Sequence, residues 1–514
     1  MKRLLVVAAL CAAWSVGANP TKVLSVQFAD TTACIKAFAK LGEHCGIAML
    51  GPMVAPQVAN NPIAQFLGPM RENSSALLLG YIPESALNTS NALDNLNYAI
   101  LYPVRRTKAK FLSDHPGSVE TNGLIIARNP RGEKYYLAFS KDGQWVATAR
   151  YEAFIGPALT EIDAAQQAMD GDVIRARVTE LKGFSLAVRG TATPAHETNA
   201  VEQVQIDAVR EFLQDIASID IGLRVNDLGV DFRGRLVPRS GSGLSKMGRT
   251  VLGKGPLDFA DAGAMGAQAG TEDAFQPGDE MLDTDKVDEV LAKYGMSLSA
   301  LGVDVSEKDR TLSMVLDIVP LVGGLKTNEL FKTDAPKVKE LYDELKAKAR
   351  FILEENGVKD ICLRAQFSIK GAKASVSPAE RYARTLPELA DKPVFYASCY
   401  SFYELLKAWL PQLADAGLLG EDEQMQVLKP MLAALPPPGN GGSAGAMWRE
   451  KEDVCYQVRI SKDEFKCCAL ASQLFAVLQS NGVLGDDDDD DCDVDTEDDF
   501  IEDDDDETSD DDED

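Results

Sequence analysis

Histidine and cysteine are scarce in this chain, three and nine in 514 residues. His44, His115 and His196 stand far apart without ligand spacing, and no H-E-x-x-H run occurs, so the helical zinc-protease pattern is excluded. Nine cysteines over this length do not make a disulfide framework. Basic residues are the minority, 52 Lys and Arg against 80 Asp and Glu, which argues against a nucleic-acid binder that neutralises phosphates. Beyond the first residues, no apolar run reaches the ~20 residues that cross a bilayer. The P-loop lysine motif is missing, and the glycines at 241, 243 and 248 miss the dinucleotide spacing. With 45% hydrophobic residues, the chain is neither wholly disordered nor collagen-like.

The first segment reads as an address. Met1-Lys2-Arg3, an apolar run from Leu4 to Val16 and the small residues Gly17-Ala18 have the order of a secretory signal peptide, with cleavage expected after Ala18. The chain is therefore expected to be exported, to the periplasm or the extracellular space. Export permits disulfides, but Cys34, Phe38, Leu41 and Cys45 share one face of a helix capped by Asp30. About 16 Å of helix then separates Cys34 from Cys45, beyond the reach of a bridge. Buried free thiols are the expectation for most of the cysteines, and the adjacent Cys467 and Cys468 have no partner pair for zinc.

The net charge of −28 is unevenly placed: 22 of the last 29 residues, Asp486 to Asp514, are acidic, leaving −6 for the remainder. So dense a run of like charges lacks the apolar surface to offset its ordering entropy and is expected to be disordered. It serves solubility, or binds Ca²⁺ or a basic protein weakly and at many points. The metal candidates are Asp491, Asp493, Asp495 and Glu497. The run lacks the turn glycine and closing glutamate of an EF-hand loop, and no other cofactor is implied.

Between these ends the chain reads as α+β, two lobes of largely antiparallel sheet with flanking amphipathic helices. Strands are expected at Lys22 to Phe28, Ala76 to Ile82, Tyr98 to Val104 and Leu124 to Ala127. A hairpin through Lys141-Asp142-Gly143 joins Lys134–Ser140 to Gln144–Arg150, and further strands run over Ile219–Val225 and Gly229–Val237. Helices are expected from Tyr151 to Met169, with a kink at Pro157, and from Ala200 to Ala217. In the second lobe the pattern gives helices over Ala335–Glu355, Phe402–Leu413 and Cys468–Leu478. Its strands are expected over Asp360–Ile369, Pro393–Ser398 and Val454–Ile460. Boundaries follow: leader 1–18, N-terminal lobe 19–239, a Gly/Ala-rich interlobe loop 240–279, C-terminal lobe 280–484 and acidic tail 485–514. Tyr135–Asp142 resembles Tyr456–Asp463, and Asp220-Ile221-x-Leu223-Arg224 recurs as Asp360-Ile361-x-Leu363-Arg364, so the lobes read as an internal duplication.

Chemistry is thinly marked. Gly441-Gly442-Ser443-Ala444-Gly445 fits G-x-S-x-G, but a proline run before it and a strand after it are the wrong flanks for a nucleophile elbow. The leading reading is an exported, non-enzymatic binding or scaffold protein of unknown ligand, with no catalytic residue assigned. A hydrolase acting outside the cytoplasm is the second reading, through carboxylates or a spatially assembled triad. A carrier of apolar ligands is the third.

Overall fold

Alternation and turn chemistry along the chain produce one sheet in which seventeen strands are joined edge to edge. The computed structural model describes residues 20–59, 61–129, 132–185, 209–271, 284–308, 311–328, 330, 336–345, 362–418, 430 and 439–465. In chain order the strands are β1 (Pro20–Phe28), β2 (Ala76–Pro83), β3 (Asn97–Pro103), β4 (Val119–Thr121), β5 (Leu124–Arg128) and β6 (Lys134–Phe139). Next come β7 (Trp145–Ala149), β8 (Ile174–Thr179), β9 (Ile216–Asn226), β10 (Gly229–Pro238), β11 (Gly266–Thr271) and β12 (Val303–Lys308). The last are β13 (Thr311–Leu316), β14 (Cys362–Ile369), β15 (Tyr396–Tyr400), β16 (Ser443–Glu450) and β17 (Asp453–Ser461).

Strand pairing sets the spatial order β4-β5-β6-β7-β3-β2-β1-β8-β9 and continues β10-β17-β16-β15-β11-β14-β13-β12. All pairs are antiparallel except β13–β14, whose crossover contains the helix Ile318–Thr327 and the helical residues 336–345. The fold is α+β, as the sequence pattern implies. The hairpin at Lys141-Asp142-Gly143 forms, with Gly143 left-handed at φ 68°.

The central turn is tighter. Asn226 Oδ1 accepts from the N–H groups of Leu228 and Gly229, and β9 folds directly back onto β10. Gly229 has φ 148°, and a Cβ there would lie 2.0 Å from the Ile460 carbonyl oxygen, so this position takes only glycine.

Directly opposed residues of an antiparallel pair share a face, so register defines two surfaces. On the first, Leu77, Leu79, Ala99, Leu101, Ala147 and Ala149 are buried beneath Phe154, Ile155, Ala158 and Ala165. At the other end the same face buries Ala267, Ala269, Ala397, Cys399, Ala444 and Ala446 beneath Tyr382, Leu386, Leu389 and Leu257. The second face is covered near the N-terminal edge by Phe66, Leu67 and Phe111, and near the other edge by Met265 and Leu405.

The helix expected over Tyr151–Met169 is broken into short turns, a 3-10 turn at Glu152–Phe154 and helices Ile155–Leu159 and Ile162–Ala165. The helix expected over Ala200–Ala217 is described only from residue 209. It stops before Ile216, which belongs to β9.

The Gly/Ala-rich stretch departs most from its reading as a loop. Ala264 and Met265 are buried, and Gly266–Thr271 is β11, an interior strand between β14 and β15. The reason is steric. A Cβ on Gly266 would lie 2.3 Å from both Phe367 and Tyr400, whose rings stack across it, so small residues are what this crowded interior strand admits. None of β4, β8, β12, β13 and β16 is among the strands expected from the sequence.

Candidate binding site at the strand ends

Between the two covers, the first face of the sheet is charged and partly open, with Gln27, Cys455 and Gln457 buried at its margins. Gln27, Arg175, Gly222, Arg233 and Gln457 form one cross-strand row, and Ser25, Arg177, Asp220, Arg235 and Cys455 the next. These rows floor a groove of about 980 Å³. Its charges are internally matched. Asp220 pairs with Arg177 at 3.6 Å and with Arg235 at 3.1 Å, and Lys22 reaches Glu161 at 2.5 Å.

The segment Gln166–Asp172 forms the groove's end wall. Asp170 and Gly171 are left-handed, at φ 47° and 82°, and their turn drives Asp172 inward until it is only 3% exposed. Three guanidinium groups meet its carboxylate: Arg233 at 2.8 Å, Arg175 at 3.1 Å and Arg224 at 3.5 Å. Arg175 also donates to the carbonyls of Ala168 and Met169, so the wall is tied to β8. On the inner side, buried Gln27 donates to Ser75 Oγ at 2.7 Å and to the Gln167 carbonyl at 2.9 Å.

Behind this wall lies a second cavity of about 910 Å³, at the ends of β1, β8 and β9 and beside the helix Thr31–Cys45. Asp30 caps that helix by accepting from Ala33 N–H at 2.8 Å, and its other oxygen accepts from Asn73 N–H at 3.1 Å. Lys40 is held by Asp227 at 2.6 Å and Glu43 at 3.0 Å. Arg71 donates from Nε to Ser74 Oγ at 3.1 Å and from Nη1 to Gln144. Its guanidinium carbon lies 5.5 Å from the ring centre of Trp145, a cation–π contact. Trp145 also lines this cavity, and its indole N–H is buried with no hydrogen-bond partner among the described residues.

The sequence-stated candidates fall elsewhere. Asp491, Asp493, Asp495 and Glu497, like Cys467, Cys468 and His196, lie outside the described residues. Among the described residues, no group of three or more His, Cys, Asp or Glu side chains is placed to hold a metal ion, and no helix is long and apolar enough to cross a membrane. His44 is buried, with Nε2 2.7 Å from the Asn226 carbonyl; His115 Nδ1 is 3.0 Å from the Phe111 carbonyl, with its ring stacked on Phe111. Ser443 opens β16, and its buried Oγ has no hydrogen-bond partner among the described residues. Cys34 and Cys45 are not bridged to one another, as the helical spacing requires.

Sequence reasoning missed Arg71, Trp145, Asp172, Arg224 and Arg233. One signal was available: Arg175/Arg177 and Arg233/Arg235 alternate with apolar residues in strand-like runs. That pattern marks a sheet face left without an apolar cover.

No family model matches the chain, and no curated protein matches it. A solved structure titled "Structure of crystal form IV of TP0453" is similar over 44% of this chain and 82% of its own, at 7% identity and a TM-score of 0.20, too slight a likeness to assign a fold.

Proposed function

We propose that the protein is an exported, non-enzymatic binding protein that takes a polar ligand into the cavity behind the Gln166–Asp172 wall. The observation that carries this reading is the state of the carboxylates. A general base or nucleophile needs a carboxylate free to accept a proton or attack, and Asp172 is instead neutralised by three arginines. Rigid, pre-paired charge beside an open cavity suits holding a ligand. Thermal unfolding of the full-length protein against a panel of small polar metabolites tests it. At least one compound is expected to raise the melting temperature in a saturable way. No response across the panel, together with turnover of chromogenic ester or glycoside substrates, overturns it in favour of a hydrolase.

The two halves are read as a duplicated unit, supported by the matching plan in which each half buries the same sheet face beneath its own cover. The acidic tail is assigned weak, multivalent binding of Ca²⁺ or of a basic partner. Calorimetric titration with CaCl₂ is expected to give heat with the full chain and much less with a chain ending at Gly485; equal heats overturn the assignment.

A further inference from the structure

The groups around the strand-end cavity can be sorted by whether their hydrogen-bonding capacity is already used. Its carboxylates are committed. Asp30 accepts from two backbone N–H groups, Asp172 meets three arginines, Asp227 holds Lys40, and Asp170 lies 3.4 Å from Arg175. Among its charged and aromatic groups, what remains are donors. Lys36 is exposed and has no partner among the described residues. Arg71 uses Nε and Nη1, while its Nη2 has no partner among the described residues. The indole N–H of Trp145, a side chain 1% exposed, has none either. Indole N–H can only donate, and leaving it buried without an acceptor costs about 1–3 kcal/mol.

We infer that this cavity binds a small organic carboxylate, held by Arg71 and Lys36 and completed by the indole N–H of Trp145. The inference rests on the binding function proposed above and names its ligand class. Arg71 lies over the Trp145 ring and shields it. An entering carboxylate draws the guanidinium off the ring toward itself and accepts from the N–H thus uncovered. One carboxylate oxygen accepts from the free Nη2 of Arg71 and the other from the buried indole N–H, so a two-oxygen acceptor serves both donors together.

The experiment is ¹⁹F NMR of the full chain carrying 5-fluorotryptophan, with the Trp145 resonance assigned by Trp145→Phe. Glutarate is the probe, with glutaramide as the uncharged control and inorganic phosphate as the other oxyanion. Glutarate is expected to shift the Trp145 signal saturably while glutaramide leaves it in place. Arg71→Gln should weaken glutarate about tenfold, the value of one charge-assisted hydrogen bond. Lys36→Gln, on the exposed side of a helix, should weaken it by a smaller factor without disturbing the fold. Arg177→Gln, in the neighbouring groove, should leave it unchanged. A response to phosphate with none to glutarate overturns the carboxylate assignment. Equal responses to glutarate and glutaramide overturn the charge argument. If the metabolite panel yields a ligand while the Trp145 signal stays unmoved by every probe, this inference fails and the binding function stands.

Discussion

Glu464 is the residue whose burial has the clearest consequence in solution. Its carboxylate accepts from Ser401 Oγ at 2.8 Å and from Tyr403 N–H at 3.1 Å, tying the end of β17 to the helix Phe402–Asp415. Desolvation raises its pKa above the ordinary 4.5, and these hydrogen bonds only partly oppose the rise. The folded state therefore holds this proton more tightly than the unfolded chain does. The residue's contribution is most favourable below pH 4.5 and is lost as pH rises through the raised value. Glu464→Gln, which keeps an acceptor oxygen but cannot ionise, should flatten the pH dependence of stability relative to wild type. Urea unfolding of both proteins at pH 4 and pH 7.5 checks this; an identical difference between the two pH values in both would show that Glu464 ionises freely. Cys399 follows the same physics. Burial pushes its thiol up to about 12, so it should resist thiol reagents until the protein unfolds.

At the scale of elements, Gly266 sets a tight side-chain constraint inside the sheet. A Gly266→Val substitution supplies the β-branched residue that strand propensity favours, yet it places methyl groups between the Phe367 and Tyr400 rings. Packing should win over propensity, with a loss of about 1–3 kcal/mol. A midpoint of denaturation equal to wild type would mean that the rings part without cost. This strand also shows why only part of the fold was legible. Strand β10 announces itself by alternation and turn residues, β2 by a short continuous apolar run, and the helix Thr31–Cys45 by Asp30 and its spacing. In β11 the pattern Gly-Ala-Gln-Ala-Gly-Thr records the size of its neighbours across the sheet, which a local reading does not contain. The candidate cavity was illegible for a related reason: Lys36, Arg71, Trp145 and Asp172 come together through the strand order, and no spacing between them in the chain is regular.

The whole molecule is organised by a sheet that does not stop between the N-terminal and C-terminal portions. β9 and β10 pair from Asn226↔Gly229 to Ile219↔Leu236, and β10 pairs in turn with β17. Trp145 sits in the apolar core of one half and Trp448 in that of the other, which gives each half its own fluorescent reporter. With Trp14 and Trp409 replaced by Phe, unfolding followed through Trp145→Phe and Trp448→Phe derivatives should give coincident transitions once each substitution's own stability cost is allowed for. Two well-separated transitions would show that the ladder at the centre does not couple the halves.

That central ladder also decides where the chain can be cut. Division near residue 240, where the serine- and glycine-rich run invites it, strands β10 on one piece and its neighbour β17 on the other. Each fragment then carries a raw edge with unpaired backbone groups, and on β10 that edge bears Phe232, already 40% exposed in the intact protein. Such edges recruit whatever strand is nearest, so the separated pieces should precipitate alone and stay in solution when expressed together.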